Sequence, residues 1–308
     1  MQTCLTRCPI QPKKTLLLIY NTMWGKLPSY ETRQLPAGCE ITTQRELFAQ
    51  ADAVVFHIPD MGRIHHLQKR HGQLWVAWSM ECEALYPRQL EPDFKQQFDL
   101  SMTYRLDSDV PVPYYQTSLL QELKTPAQPK PPGNLAVLFV SSRFNHSHRL
   151  EYLQELMGYL EVHSFGKLFN NRRIEGDMGR QTKLEVSAGY AFSLAFENSI
   201  ATDYVSEKFY DPLVAGSVPV YLGAPNIDQF APGDHCYINA ADFKPSELVN
   251  YLNALSQDER GYQSYLAWKD LPLRENFIQM VEKVSEPAFV RLCQAVQKRQ
   301  FNDLDTRS

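Results

Sequence analysis

Residues 195–223 read AFENSIATDYVSEKFYDPLVAGSVPVYLG and place a dense group of polar side chains between two apolar runs. The apolar run that ends at Glu197 predicts a buried strand, 205–215 predicts a helix, and 218–223 predicts the next strand. Open α/β sheets bind ligands where the carboxyl ends of strands face the starts of helices. A purely structural loop has no need of so many polar groups, so the stretch predicts a ligand site.

The composition sets the limits of the problem. The chain has 308 residues, of which 44% are hydrophobic and 21% charged, with a formal net charge of −4. These values are typical of a soluble globular protein and give no sign of nucleic-acid binding through bulk charge. No apolar run reaches the roughly 18–20 residues of a membrane span, and residues 1–14 lack the apolar stretch of a signal peptide. We therefore expect a cytoplasmic protein with no transmembrane segment, and a peripheral contact with a membrane surface is left open.

The cysteines are scattered and form no CxxC pair. They are Cys4, Cys8, Cys39, Cys82, Cys236 and Cys293. This spacing favours neither a zinc site nor a disulfide framework. Reduced cysteines are the default in the cytoplasm, so we expect free thiols.

Short apolar runs alternate with helix-compatible segments in both halves of the chain, which predicts two α/β units with parallel sheets. Strands are predicted at 15–20, 52–58, 73–80, 135–141, 161–166, 191–197 and 218–223, and helices at 42–50, 150–160, 205–215 and over much of the chain after 245. Four prolines and a glycine at 125–133 predict a linker between the two units. A cleft between two such units is the expected ligand site.

Three linked motifs resemble the signature of glycosyltransferase family 10, the α1,3/4-fucosyltransferases. They are FENS at 196–199, DYVSEK at 203–208 and AGSVPVYLG at 215–223. Three further segments are similar to other elements of the family: GQLWVAWSMECEALYP, MTYRLDSDVPVPY and FVSSRFNHSHRLEYLQEL. The resemblance implies a GT-B architecture, an α/β fold in which two Rossmann-like domains face each other across a cleft.

The resemblance also implies a division of labour along the chain. We assign 1–124 to an acceptor-binding domain, 125–133 to the proline-rich linker, 134–290 to a GDP-fucose-binding domain and 291–308 to a C-terminal helix or tail. The implied reaction is inverting transfer of L-fucose from GDP-β-L-fucose to a hydroxyl of a glycan acceptor. The expected hydroxyl is O3 of N-acetylglucosamine in chains of the N-acetyllactosamine type.

Inversion needs a carboxylate that takes the proton of the acceptor hydroxyl and, on the opposite face, cations that stabilise the departing diphosphate. Glu81, at the end of the strand predicted at 73–80, matches the glutamate to which the family resemblance assigns the base role. Glu83, two residues further on, stands where the family usually has proline. Glu81 is therefore the expected general base.

The donor side is assigned by the same resemblance. Arg149 matches the arginine that binds the diphosphate, and Lys208 adds a second cation at the start of the helix predicted at 205–215. Glu207 is assigned to both the catalytic and the donor-binding group, because its carboxylate can accept hydrogen bonds from sugar hydroxyls. Further contacts with GDP-fucose are expected from Asn198, Tyr204 and Ser141.

Three residues depart from the family pattern. Ser142 replaces an asparagine, which predicts a lost or altered contact with the donor. Ala191 replaces a lysine, which predicts less positive charge near the nucleotide. Pro212 lies inside the helix predicted at 205–215 and is expected to kink or shorten it.

The histidines do not predict a metal site. His65, His66 and His71 have no carboxylate partners at ligand spacing, so we interpret 64–72 as a solvated basic helix face. His57 ends a predicted strand and is either an acceptor contact or a structural residue. The DSD sequence at 107–109 lies in the other half from the nucleotide loop, so we expect neither a cofactor nor a required metal.

Two other functions stay open on the sequence alone. One is a GT-B sugar-nucleotide transferase with another donor, which would bind a different nucleotide. The other is a catalytically weak homologue that binds nucleotide or glycan.

Overall fold

The computed structural model describes residues 14–27, 35–62, 64 and 66–305, with the backbone alone for 301–305. The first half contains a parallel five-stranded sheet. Its strands are β1 (Thr15–Ile19), β2 (Cys39–Thr42), β3 (Ala53–His57), β4 (Leu74–Ser79) and β5 (Leu100–Thr103).

The second half contains another parallel five-stranded sheet. Its strands are β6 (Ala136–Leu138), β7 (Val162–Ser164), β8 (Phe192–Phe196), β9 (Val218–Leu222) and β10 (Ile238–Asn239). The helices of the described chain are α1 (Pro92–Lys95), α2 (Ser118–Glu122), α3 (Arg149–Leu156), α4 (Arg180–Ala188), α5 (Glu207–Ala215), α6 (Pro245–Gln257), α7 (Glu259–Ser264), α8 (Glu275–Glu282) and α9 (Ala288–Asp305).

The two sheets share one strand order. The first runs β2-β1-β3-β4-β5 and the second β7-β6-β8-β9-β10, so each places its second strand outside its first. In such doubly wound sheets the chain reverses direction across the sheet beside the first strand, and ligands bind at the carboxyl ends of the strands there. The prediction of two Rossmann-like α/β domains is confirmed, and the expected ligand positions are the ends of β1 and β3 and of β6 and β8.

Each predicted strand is present, although β6 is shorter than expected. The sequence did not predict β2, β5, β10, α1, α2 or α4. The three missed strands are short sheet edges that pair on one side only, and they therefore lack a long apolar run. The helix expected at 42–50 is wrong, since only a 3₁₀ turn at Arg45–Leu47 forms there.

The C-terminal helix returns to the first domain. The side chains of Phe289, Leu292 and Val296 in α9 are buried in one apolar cluster with Leu17 and Ile19 of β1. The segment assigned as a helix or tail at 291–308 therefore begins inside a helix that covers the first sheet.

A disulfide joins Cys39 of β2 to Cys293 of α9, which are separated by 254 residues. The expectation that the cysteines are free is therefore wrong for this pair. The spacing rules failed because packing of α9 on the first sheet brings the two sulfurs together. Cys82 and Cys236 are free and buried, and Cys4 and Cys8 lie outside the described residues.

The histidine-rich segment is not a helix. Residues 66–72 form turns in which His66 and His71 are exposed, and His65 lies outside the described residues. Arg70 fixes the segment to the first domain by donating to the carbonyl oxygens of Ala49 and Ala51. The interpretation as a helix face is wrong, because none of the described residues of this segment is helical.

Within the described part of the chain, no helix combines the length and the apolarity that crossing a bilayer requires.

Candidate active site

The loop between β8 and α5 is organised by Glu197, which has no exposed surface. Its carboxylate accepts hydrogen bonds from the backbone N–H of Ser206 at 2.7 Å and from the Ser206 hydroxyl at 2.8 Å. The Nζ of Lys208 lies 3.4 Å from Glu197 Oε2 and 2.9 Å from Ser206 Oγ. Ser206 caps α5, so Glu197 sets the position of both the helix start and the lysine.

Lys208 and Glu207 form an ion pair in the first turn of α5, with Nζ 3.2 Å from Oε1. Burial lowers the pKa of Lys208, but the charges of Glu197 and Glu207 outweigh it, and the net pKa is raised. Burial raises the pKa of Glu207, but Lys208 and Lys183 outweigh it, and the net pKa is lowered. Both side chains of the pair are therefore charged at neutral pH.

Lys183 of α4 was not predicted as a site residue. Its Nζ lies 3.9 Å from Glu207 Oε1 and 3.1 Å from Oδ2 of Asp211, a buried residue. Helix α4 ends just before the amino end of β8, so its axis runs opposite to the strands. Its first turn therefore lies near the carboxyl ends of the strands. Lys183 could have been assigned to the site from the sequence only if helix α4, which carries it, had been predicted.

Arg149 begins α3, directly after His148 in the left-handed conformation. Its guanidinium is buried and donates from Nη1 to the carbonyl of Phe196 at 2.9 Å and from Nη2 to that of Ser142 at 3.0 Å. It thereby joins the chain segments that leave β6 and β8, at the predicted ligand position. Its positive charge is therefore within hydrogen-bond distance of both carbonyl groups.

The two smaller donor-site candidates differ in exposure. Ser141 is exposed, and its hydroxyl accepts a hydrogen bond from the backbone of Lys167 at 3.1 Å. Asn198 is buried, its carbonyl accepts from the backbone of Ser147, and its Oδ1 has no partner among the described residues. Asn198 therefore keeps a free acceptor beside the loop.

Tyr204 contacts the first domain. Its buried ring packs against those of Tyr104 and Tyr114, with centroids 5.0 and 6.0 Å away. The neighbouring Asp203 accepts a hydrogen bond from the backbone of Leu106 at 3.1 Å. The loop that carries the donor-site candidates therefore also joins the two domains.

Glu81 follows β4 and faces this loop from the first domain. Burial raises the pKa of its carboxyl, Lys208 opposes that shift, and the negative charges of Glu207 and Glu197 add to it. Tyr114 joins this turn to the loop between β8 and α5, since its hydroxyl donates to the carbonyl of Met80 and its ring packs against that of Tyr204. The backbone N–H of Glu81 donates to Ser79 Oγ at 3.3 Å, which fixes the turn after the strand.

Glu83 has a different environment. It begins a 3₁₀ turn, and its carboxylate accepts a hydrogen bond from the hydroxyl of Tyr104. Tyr114, which the sequence analysis did not assign, donates to the carbonyl of Met80 at 2.5 Å. Tyr114 thus fixes the backbone before Glu81, and Tyr104 fixes the side chain of Glu83 after it.

Two of the three departures from the family pattern leave this site intact. Ala191 precedes β8 at its amino end, about 20 Å of extended strand from Glu197, so it lies away from this loop, and the expected loss of positive charge near the nucleotide stays a prediction. Helix α5 continues three residues past Pro212 to end at Gly216, and the proline does not cut it short. Ser142 contributes its carbonyl to Arg149, while its hydroxyl accepts from the backbone of Phe144.

His57 is a structural residue rather than a surface contact, because only 1% of it is exposed. Its backbone exchanges two hydrogen bonds with the side chain of Asn21, at 2.8 and 2.9 Å. Burial lowers the pKa of the His57 imidazole despite Asp60, whose carboxylate lies 3.5 Å from Nδ1.

Two family profiles cover most of the chain. The profile described as glycosyltransferase family 10 (fucosyltransferase), C-terminal, matches residues 130–306, and that of the fucosyltransferase N-terminal region matches residues 12–115.

Curated relatives are 30–34% identical to this chain. A 4-galactosyl-N-acetylglucosaminide 3-alpha-L-fucosyltransferase, FUT6 of Pan troglodytes, is 34% identical over 78% of this chain and 67% of its own length. The corresponding enzyme 9 of Mus musculus is 30% identical over 83% of this chain and 72% of its own. A fucosyltransferase-like protein of Arabidopsis thaliana is 34% identical over 74% of this chain, which spans only 44% of that protein.

Solved structures share the fold at low sequence identity. A crystal structure of an α1,3-fucosyltransferase with GDP-fucose superposes with a TM-score of 0.62 at 17% identity, covering 96% of this chain and 94% of that one. A second α1,3-fucosyltransferase crystal structure gives 0.63 at 15% identity, covering 96% and 93%. The likeness confirms the predicted GT-B architecture.

Proposed function

The chain belongs to glycosyltransferase family 10, the fucosyltransferases, and on that premise we propose that it transfers L-fucose from GDP-β-L-fucose to a glycan hydroxyl with inversion. One observation carries the proposal. The turn that carries Glu81, on the first domain, is joined to the loop that leads to Glu207 and Lys208, because Tyr114 donates to the carbonyl of Met80 and its ring packs against that of Tyr204. An inverting transfer needs a base on one side of the reacting carbon and a cation on the other.

Glu81 is the proposed general base. A carboxylate with a raised pKa holds a proton more readily than an ordinary glutamate, and so accepts one more easily from the acceptor hydroxyl. Glu83 is the less suitable candidate, since one oxygen of its carboxylate accepts a hydrogen bond from Tyr104. Glu207 is proposed to accept hydrogen bonds from the donor's hydroxyl groups and to orient Lys208.

The leaving diphosphate is assigned to the start of α5. Lys208 supplies a full charge there, and the positive end of the α5 dipole adds to it. Arg149 adds a second positive charge beneath the ends of β6 and β8. Asn198, Tyr204 and Ser141 remain the proposed polar contacts with the nucleotide sugar.

We propose N-acetylglucosamine O3 in N-acetyllactosamine-type chains as the acceptor position. The support comes from the curated relatives, which are named 4-galactosyl-N-acetylglucosaminide 3-alpha-L-fucosyltransferases. A panel of glycans with GDP-fucose as donor tests this assignment.

We further propose that no cofactor and no divalent ion are required, because Lys208 and Arg149 supply the positive charge at the diphosphate. Transfer should persist in EDTA. Loss of transfer in EDTA together with recovery on addition of Mn²⁺ or Mg²⁺ would overturn this part of the mechanism.

The Cys39–Cys293 disulfide bears on the cellular compartment in which the protein resides. Structural disulfides form and persist in oxidising compartments and are rare in the cytoplasm. We therefore propose an oxidising compartment in place of the predicted cytoplasmic one. Alkylation of thiols before extraction from cells, followed by mass spectrometry, decides whether this pair is oxidised.

The function is tested by Glu81→Gln, which keeps the size of the side chain but cannot take a proton. We expect kcat to fall by about 100- to 10,000-fold, with the affinity for GDP-fucose unchanged. Glu83→Gln is the matched control and keeps an acceptor for Tyr104, so it should remain active. Normal transfer by Glu81→Gln would reject the assignment, and preference for UDP over GDP would reject the donor.

A further inference from the structure

Trp24 is presented to solvent in the loop after β1. The backbones of Met23 and Lys26 exchange two hydrogen bonds, at 2.8 and 3.1 Å, and close a tight turn around Trp24 and Gly25. Both central residues have positive φ, 52° for Trp24 and 75° for Gly25. A bulky residue rarely adopts this conformation, so the turn holds the indole in place at a conformational cost.

The exposure of Trp24 is unusual for this chain. Of its four tryptophans, Trp75, Trp78 and Trp268 are at most 5% exposed, whereas Trp24 is 51% exposed. Tryptophan is enriched at binding surfaces, because its ring combines a large apolar face with a polar N–H group.

The indole rests on the end of β3. Its ring meets that of His57 edge-on, with centroids 5.5 Å apart, and lies 6.5 Å from that of Tyr86. The turn is also tied to the domain, since the N–H of Gly25 donates to the carboxylate of Asp60 at 3.4 Å. One side of the indole is therefore supported, and the ring is half exposed among the residues that the structure describes.

This supported ring lies on the same edge of the sheet as the proposed base. β1, β3 and β4 are adjacent parallel strands, and Trp24, His57 and Glu81 all lie at or beyond their carboxyl ends. Burial raises the pKa of Tyr86, and the charges of Glu81 and Asp60 add to the shift. Tyr86 ends the 3₁₀ turn that follows Glu81, and its ring lies beside that of Trp24, so it links Trp24 to Glu81.

We infer that Trp24 is a stacking platform for the acceptor, and that it binds the galactose ring adjacent to the reacting N-acetylglucosamine. This rests on the proposed function. One face of galactose is a patch of C–H groups that packs on the electron-rich face of an indole, and Asp60 and Tyr86 provide polar partners for hydroxyl groups beside it. The reacting sugar lies at Glu81, and Trp24 then meets the next sugar, because Tyr86 ends the turn that follows Glu81 and its ring lies beside that of Trp24.

The kinetic test compares two acceptors, N-acetyllactosamine and methyl β-N-acetylglucosaminide. We expect Trp24→Ala to lower kcat/KM for N-acetyllactosamine on the order of 10-fold, through KM, and to leave the monosaccharide within about 2-fold. Trp24→Phe keeps an aromatic face and should recover most of the loss. Trp24→Gly removes the ring but suits the positive φ, so an equal loss in this variant shows that the side chain is responsible and not a misfolded turn.

Two controls separate this inference from the proposed function. Tyr159→Ala removes an aromatic ring that is 63% exposed on the second domain and should leave both acceptors unaffected. Affinity for GDP should be unchanged in each Trp24 variant. Tryptophan emission reports binding without any turnover, because N-acetyllactosamine that covers Trp24 should shift the emission to shorter wavelength in the native chain and not in Trp24→Phe.

Three outcomes would overturn the inference: equal losses for the two acceptors in Trp24→Ala, no loss for either, or an emission that N-acetyllactosamine leaves unchanged at saturation. A chain that binds N-acetyllactosamine through Trp24 but transfers no fucose would instead reject the proposed function alone.

Discussion

The Nζ of Lys208 lies 3.4 Å from Oε2 of Glu197, a carboxylate with no exposed surface. Glu197 also accepts two hydrogen bonds from Ser206, the cap of α5, so one buried acid fixes both the helix start and its cation. A helix start that carries a fixed cation is suited to an anionic group. The geometry of the nucleotide loop therefore depends on a residue that does not reach the solvent.

Glu197→Gln should destabilise the fold. The amide keeps the shape but leaves the charge of Lys208 without its buried partner, and breaking such pairs costs about 3–5 kcal/mol. Urea unfolding measures the loss. Glu185→Gln, an exposed acid on α4, is the control and should change the unfolding free energy by less than about 0.5 kcal/mol. Equal stability of the two variants would show that Glu197 does not organise the loop.

Lys208→Ala and Arg149→Ala should each weaken GDP binding by about 1.5–3 kcal/mol, the contribution of a hydrogen bond to a charged group. Calorimetric titration with GDP measures the effect. Arg149→Ala should also lower the unfolding free energy, because the carbonyls of Phe196 and Ser142 lose their buried donor. Unchanged GDP affinity in both variants would remove the diphosphate from this end of α5.

The rate should depend on pH through Glu81. The base works as the carboxylate, so kcat/KM falls as the pH drops through its pKa, which burial places above the ordinary value of about 4.3. Lys208 holds this pKa down, so Lys208→Met should move the acid limb of the profile to higher pH. An acid limb that stays in place, or moves to lower pH, would show that the charge of Lys208 does not lower the pKa of Glu81.

Reduction of the Cys39–Cys293 disulfide should destabilise the protein. A bridge that closes so long a loop typically contributes about 2–4 kcal/mol, and it holds α9 on the first sheet. Cys293→Ser should lower the melting temperature, and dithiothreitol should lower that of the native chain but have no further effect on the variant. Equal sensitivity of both proteins to dithiothreitol would mean that this disulfide does not form.

The sequence by itself determined the local architecture. Alternating apolar runs predicted the long central strands, and the prolines at 125–133 predicted the break between the two domains. The loop between β8 and α5 was also predicted, because its strand, cap and helix lie within thirty residues and their bonds are local. The pattern failed at β2, β5 and β10, where an edge strand needs little apolar surface.

Only the tertiary structure decided which side chains meet. It joined the turn that carries Glu81 to the loop before α5 through Tyr114, buried Arg149 between two chain segments, and brought Lys183 to Glu207 from a helix that the sequence did not predict. It also joined Cys39 to Cys293 across 254 residues. The spacing of apolar residues along a strand or helix shows which of its faces is buried. It does not show which other element covers that face. Contacts between distant segments follow from how the sheets and helices pack, and no local pattern encodes them.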